Sequence, residues 1–460
     1  MSMNRGVRVA ATGARLVAGT AVAVACVVGV VTAIHAPWPE VRHDPAQVQV
    51  TPLPGDSLLV CNGDLRALGR DTANPLAMWS AASPTLTVDG TSGAPEIGTL
   101  QVPDLVGAGE VRTVTGAVEG RTAPLIAATE SATVEADDLR GFAALPCGTP
   151  RLESWLVGGT VDTGASDLII LTNAAQVPST VTLSVYGTSR GTRTIIVPAG
   201  TQVALPLTSI AAGNALPVVE VTADGAPVRA VLQSSLVRTL DPAGVDLQEA
   251  VAGPQLHPVI AGVKSFAADG DDADMTVLRL LSPEDAAQAR VTVRASGSSS
   301  IANEFTVSLT AGEPAEISLS GLAPGTYSVQ VDADAPVVSA VRQQDALVRG
   351  SDFSWMTPAP EIDSDALLAV PAGPGPRLHL VNDTDADATV TLEPTNGRPA
   401  IEVTVPANES VETAVAQRTS YLLSTTGTVH AAITMSADGK LAGWPVQPSA
   451  GAAESITVYP

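Results

Sequence analysis

Aromatic side chains make up only 3% of the 460 residues, so any large core has to be built from Val, Leu, Ile and Ala. Basic residues are scarce as well: 24 Lys and Arg stand against 47 Asp and Glu, a formal net charge of -23. Phosphate recognition needs clustered Lys and Arg, so nucleic acid is not an expected partner, and anionic lipid or wall polymer is repelled unless a divalent cation bridges it. The five histidines, His35, His43, His257, His379 and His430, contain no pair at ligand spacing, which argues against zinc and against a histidine base. A Gly-x-Ser-x-Gly elbow, a phosphate loop and a dinucleotide fingerprint are all missing, and no cofactor is expected. Apart from one apolar run near the start, no segment carries a helical stripe.

That run, Leu16 to Ile34, is nineteen uncharged residues behind a head (residues 1–15) that contains Arg5, Arg8 and Arg15 and no acid. At about 1.5 Å per residue it just crosses a hydrocarbon core. The small-residue cleavage candidate Ile34-His35-Ala36 is followed by Pro37, a poor neighbour for a scissile bond, which favours an uncleaved anchor over residues 16–36. The arginines then keep the head in the cytoplasm and leave everything after Trp38 outside the cell membrane. Cys26 follows Ala23-Val24-Ala25, a degenerate lipobox, but more apolar residues come after it, so it reads as an inert cysteine in a membrane helix. Residues 37–55 are proline-rich and aperiodic, the pattern of an extended stalk.

The other two cysteines, Cys61 and Cys147, sit at the two ends of one region, residues 56–152. In an oxidising compartment they are expected to form a disulfide, and closing a loop of about 86 residues stabilises the region by about 4–5 kcal/mol on the chain-entropy model.

Three segments, 153–255, 256–362 and 363–460, can then be laid over one another. Each opens on an apolar strand: Leu168-Ile169-Ile170-Leu171, Val277-Leu278-Arg279-Leu280-Leu281, and Arg377-Leu378-His379-Leu380-Val381. An alternating strand follows (Val181 to Val185, Val291 to Arg294, Val390 to Leu392), then a strand that ends in Pro198-Ala199-Gly200, Thr310-Ala311-Gly312 or Pro406-Ala407-Asn408. The last residue of each such corner tolerates positive φ. A hairpin closes each segment. Period-two strands with a turn signal every ten residues or so predict tandem antiparallel β-sandwiches of Ig-like kind, an all-β chain after one transmembrane helix.

Short motifs connect these segments to a known family. Cys61-Asn62-Gly63-Asp64-Leu65-Arg66, the closing Cys147, Trp155-Leu156-Val157-Gly158-Gly159 and the strand through Asn173 resemble an uncharacterised actinobacterial family, domain of unknown function 5719. The resemblance implies an exported or membrane-anchored envelope protein of β-repeats and supplies no activity, cofactor or catalytic residue.

The strongest catalytic signal is Val161-Asp162-Thr163-Gly164-Ala165-Ser166, which looks like the aspartic protease loop, where two carboxylates meet and share a proton. Ile210-Ala211-Ala212-Gly213 resembles the apolar-apolar-Gly element packed beside that loop. No second Asp-Thr-Gly exists, so only a homodimer brings two copies of Asp162 together, and Asp-Thr-Gly before a strand is also ordinary turn chemistry. Two acidic clusters, Asp269, Asp271, Asp272 and Asp274, and Asp383, Asp385 and Asp387, are candidate calcium ligands. They lack the Gly and Glu of an EF-hand loop and read better as solvated turns, so no metal is expected. Trp155, Trp355 and Trp444 fall near repeat boundaries, where they either stack on sugars or wedge adjacent sandwiches together; so few aromatics favour the wedge. Taken together, the sequence predicts no enzyme. It predicts a rod of sandwiches, held in the membrane through residues 16–36 and facing an envelope protein or polymer; the alternative is a homodimeric aspartic-type protease using Asp162-Thr163-Gly164.

Overall fold

Alternating Val, Thr and Leu turn one face of a strand inward and the other toward solvent, and after a single long helix the chain is strands almost throughout. The computed structural model describes residues 5–35, 48–50, 55–107, 109–120, 124–267, 273–449 and 456–458. The fold is all-β and, apart from one parallel pair among the described strands (Met78-Trp79 with Leu105-Val106), antiparallel, as the patterning predicts, and the chain falls into two compact units, residues 1–52 with 454–460 and residues 53–453.

In the smaller unit the helix Arg5–His35 carries the apolar stretch Gly13–His35, 23 residues of mean hydropathy 2.4. The hydroxyls of Thr20 and Thr32 donate back to the carbonyls of Leu16 and Val28 at 2.8 and 2.7 Å, so neither is left bare on the apolar surface. By length and composition the helix is able to cross a membrane, a property that signal sequences share. Cys26 is an exposed free thiol on it. Val48–Val50, inside the stretch read as a stalk, is a strand paired antiparallel with Ile456–Val458 near the other end of the chain.

In the larger unit the three repeats have one topology. The first contains Glu153–Leu156, Leu168–Asn173, Ser179–Tyr186, Gly191–Val197, Thr201–Pro206, Val218–Gly225, Arg229–Arg238 and Asp241–Glu249. One sheet orders them first, sixth, third, fourth; the other fifth, second, seventh, eighth. The second repeat, from Val259–Ser265 to Phe353–Met356, and the third, from Ala366–Val370 to Lys440–Pro445, repeat both orders. Inward residues of the two sheets form separate cores, for instance Ile169, Leu171, Val181, Leu183, Val219 and Leu232 in the first repeat. The corner residues Gly200, Gly312 and Asn408 have φ of 62°, 73° and 58°, the left-handed conformation expected of them. Asn173 closes the loop behind its strand by donating to the carbonyls of Val177 and Val197, and Asn382 does the same to Ala386 and Val405.

Residues 57–146 form three small three-stranded sheets, stapled by the expected disulfide between Cys61 and Cys147. This disulfide unit and the repeats do not line up as a rod. Ile170, on the outer face of the first repeat, packs with Leu65, Ala143 and Leu145 of the disulfide unit. The second repeat docks on the first through Phe353 and Trp355 against Trp155 and Val157, and Val381 and Ala432 of the third repeat join the core of the second. The third repeat then returns to the disulfide unit, whose Phe142 and Ala144 belong to its core. The cycle of contacts is closed. It closes because the outer faces of these sheets are apolar too, so each has to be covered by a neighbour.

Candidate functional site

The Asp-Thr-Gly loop is a turn. Asp162 is exposed, and its carboxylate accepts from the Thr160 hydroxyl at 2.8 Å while its carbonyl accepts from the Ala165 amide at 3.1 Å. Gly164 has φ +96°, and a side chain there would run into the carbonyl of Val237. The glycine is therefore required by a close strand approach, and Ile210-Ala211 belongs to a short helix, Thr208–Ala211. The buried carboxylate of this segment is Asp167, which accepts from the amides of Thr160 (2.7 Å) and Ser235 (3.2 Å). Burial pushes its pKa up to about 7.

Of the acidic clusters, Asp269, Asp271 and Asp272 lie outside the described residues, and Asp274 is exposed. Asp383 pairs with His430 at 3.4 Å, Asp385 accepts from Asn408 at 3.2 Å, and Asp387 accepts from the Ala407 amide at 3.0 Å. Asp385 and Asp387 thus brace the Ala407-Asn408 corner, and Asp383 is held by a histidine of a neighbouring strand. Among the described residues no group of three or more His, Cys, Asp or Glu is placed to hold a metal ion.

The most unusual chemistry lies where the four parts of the body meet. The eighth strands of the three repeats and Arg140–Pro146 of the disulfide unit pack on one another there. Asp352, completely buried, sits at that junction. Its Oδ2 accepts from the amides of Phe142 (2.8 Å) and Leu441 (2.9 Å), its Oδ1 from Val245 and Phe353 (both 3.0 Å). One carboxylate thus takes one N–H from each of the four parts. Burial drives its pKa well above the ordinary range, while the four donors pull the other way by favouring the anion. Gly141 and Gly244 make room, since a Cβ on either would press on the Asp352 Oδ1 at 2.7 and 2.8 Å. Asp345 adds a second tie, accepting from the amides of Asp352 (2.8 Å) and Gly439 (2.9 Å).

Two of the pairwise joints, first repeat to second and disulfide unit to first repeat, hold buried polar anchors of their own. Arg279 of the second repeat enters the first, donating to the carbonyls of Gly159 (2.6 Å), Val157 and Pro217 (both 3.3 Å), and stacks over Trp355 with its own Glu316 at 2.8 Å. Asp246 of the first repeat accepts from the Trp355 amide at 2.8 Å, and burial pushes it up to about 7. The residues of the Cys61 to Arg66 motif make the joint with the first repeat. Arg66 donates to Gln202 (2.6 Å) and to Asp104 (3.0 Å), and its backbone exchanges both hydrogen bonds with Gln233. The Asn62 carbonyl accepts from Gln202 at 2.9 Å. All three boundary tryptophans, Trp155, Trp355 and Trp444, are buried, so they wedge rather than display. A cavity of about 170 Å³ remains where the disulfide unit, the first repeat and the third repeat meet, lined by Leu367, Ala369, Trp444, Arg151 and Glu249 among others.

Sequence reading singled out Asp162 and missed Asp352, which lies in Ser351-Asp352-Phe353 with no motif around it. Arg279 did leave a signal: a lone charge in the centre of an apolar strand has to find a partner on a covered face. A family model described as a family of unknown function (DUF5719) matches residues 106–418, from inside the disulfide unit into the third repeat. No curated protein matches the chain.

Proposed function

The chain belongs to that family of unknown function, and from this premise we propose that it is a non-catalytic, membrane-anchored interaction protein of the cell envelope. In this reading the helix Arg5–His35 holds the chain in the membrane, Arg5, Arg8 and Arg15 keep its start in the cytoplasm, and the β body stands outside. The body offers its outer faces to an envelope protein or polymer. The observation that carries the reading is the use made of the buried charges: Arg66, Arg279, Asp246 and Asp352 are all spent on holding units together, which gives a rigid platform. The disulfide agrees with an oxidising compartment.

The test has separate parts. In intact cells, protease added outside is expected to digest the β body, and the full chain is expected to stay with membranes through an alkaline wash. A mature chain that begins after residue 36 and washes off would replace the anchor with a cleaved signal sequence. Pepstatin-sensitive peptide hydrolysis at acid pH, lost in Asp162→Asn, would overturn the non-catalytic assignment.

A further inference from the structure

The sequence contains two Asn-Gly steps, Asn62-Gly63 and Asn396-Gly397, and the structure treats them oppositely. Asn62 is 2% exposed. Its amide and that of Gly63 both donate to Glu130 Oε2, at 3.0 and 2.8 Å, so the backbone nitrogen is tied and water is kept away. Asn396 lies in an exposed loop, residues 395–400, between the strands Ala388–Pro394 and Ile401–Val405. Its Oδ1 accepts from the Arg398 amide at 3.2 Å, an Asx-type turn that holds the side-chain carbonyl along the Gly397-Arg398 backbone. That nitrogen makes only a long bond, 3.3 Å, to the Pro394 carbonyl. Glycine adds no side chain to block the approach.

We propose that Asn396 is a site of spontaneous deamidation. The Gly397 nitrogen attacks the Asn396 side-chain carbonyl carbon, a new C–N bond forms as the amide leaves as ammonia, and the Gly397 nitrogen loses its proton. Water then opens the resulting succinimide on either side, leaving an aspartyl or an isoaspartyl residue. Both products carry a new negative charge, and the second also adds a main-chain methylene to the loop. The site adjoins the contact between the third repeat and the disulfide unit, because Thr395 donates to Asp89 at 2.6 Å. The new negative charge therefore arises one residue along the chain from the hydroxyl that binds Asp89 at the seam.

The experiment ages the purified full-length chain in detergent at mildly alkaline pH and follows both Asn-Gly peptides by mass spectrometry and isoaspartyl methylation. Conversion at position 396 is expected to run at least ~10-fold faster than at Asn62, which needs local opening first. Unfolding the chain in urea with a reductant should bring the two rates together. Asn396→Gln should remove the isoaspartyl signal from that peptide. The proposal fails if Asn396 persists in the folded chain while a synthetic peptide of the same sequence converts in the same buffer, or if Asn62 converts equally fast in the folded chain.

Discussion

Asp352 and Asp246 are both buried aspartates at joints, yet they should respond to the same substitution in opposite ways. All four hydrogen bonds of Asp352 come from backbone N–H groups, so an asparagine there turns an extra pair of donors into a cage that already has only donors. Asp352→Asn is expected to cost about 3 kcal/mol, because the amide keeps one acceptor oxygen, loses the bonds made to the other, and presses a buried NH2 without an acceptor against N–H donors, each such loss costing ~1–3 kcal/mol. Urea midpoints against the parent chain give the value. Asp246 is different. Its Oδ2 accepts from Trp355, while its buried Oδ1 takes no hydrogen bond among the described residues, so a neutral side chain fits. Its pKa near 7 lies above the unfolded value of about 3.9, so the folded chain binds the proton more tightly. The stability this contributes is complete below about pH 4 and is lost as pH rises through about 7; Asp167, also near 7, has the same sign. Asp246→Asn should therefore gain stability over the parent at pH 8, and the gain should shrink by pH 5. Equal midpoint differences at the two pH values would refute the linkage.

At the scale of elements, the sequence revealed two kinds of strand, unbroken apolar runs such as Leu168-Ile169-Ile170-Leu171, buried at every position, and strands with one wet face. Ser179–Tyr186 alternates buried with less buried positions along its length, and such strands are legible from their period of two. The eighth strands are not. Phe353–Met356 is buried at every position and Lys440–Pro445 at all but its first, so no alternation survives, and small residues such as Gly443 and Ala442 replace the Val and Thr of ordinary strands. Their content is dictated by the neighbouring repeat, which a local pattern cannot show. Gly443 makes the point. A Cβ there would collide with the sulfur of Met356 in the second repeat, so Gly443→Ala should cost about 1–3 kcal/mol through overpacking. Met356 ends in a flexible thioether, and shortening it to valine opens space at the same spot. A double-mutant cycle of Gly443→Ala with Met356→Val should show the pair less destabilised than the sum of the two, by about 0.5 kcal/mol or more. Additivity would mean that the two strands do not meet as described.

For the whole body, copies in series suggested a rod, and the closed cycle is what serial reading could not supply. Repetition in sequence reports what each unit shares, whereas closure depends on what differs at equivalent positions: Ile170, Arg279 and His379 occupy the same outward place in the second strands and meet the disulfide unit, the first repeat and the second repeat at Gly262. Closure has a thermodynamic consequence. Phe142 belongs to the disulfide unit, yet its ring lies in the core of the third repeat, touching the space beside Gly373 and Met435. The third repeat therefore lacks part of its core without the disulfide unit, and the two should not melt independently. The parent body is expected to unfold in one transition, with tryptophan emission and far-ultraviolet dichroism coinciding. Phe142→Ala removes a buried aromatic at about 3–5 kcal/mol and weakens this seam more than any internal core. In that variant the third repeat should become the first segment cut by limited proteolysis, at lower urea than the first repeat, so that one transition becomes two. If Phe142→Ala instead lowers a single midpoint with no early cleavage, the seam is not where the cycle is weakest, and the joints anchored by Arg66 and Arg279 would have to carry less of the load than their buried hydrogen bonds imply.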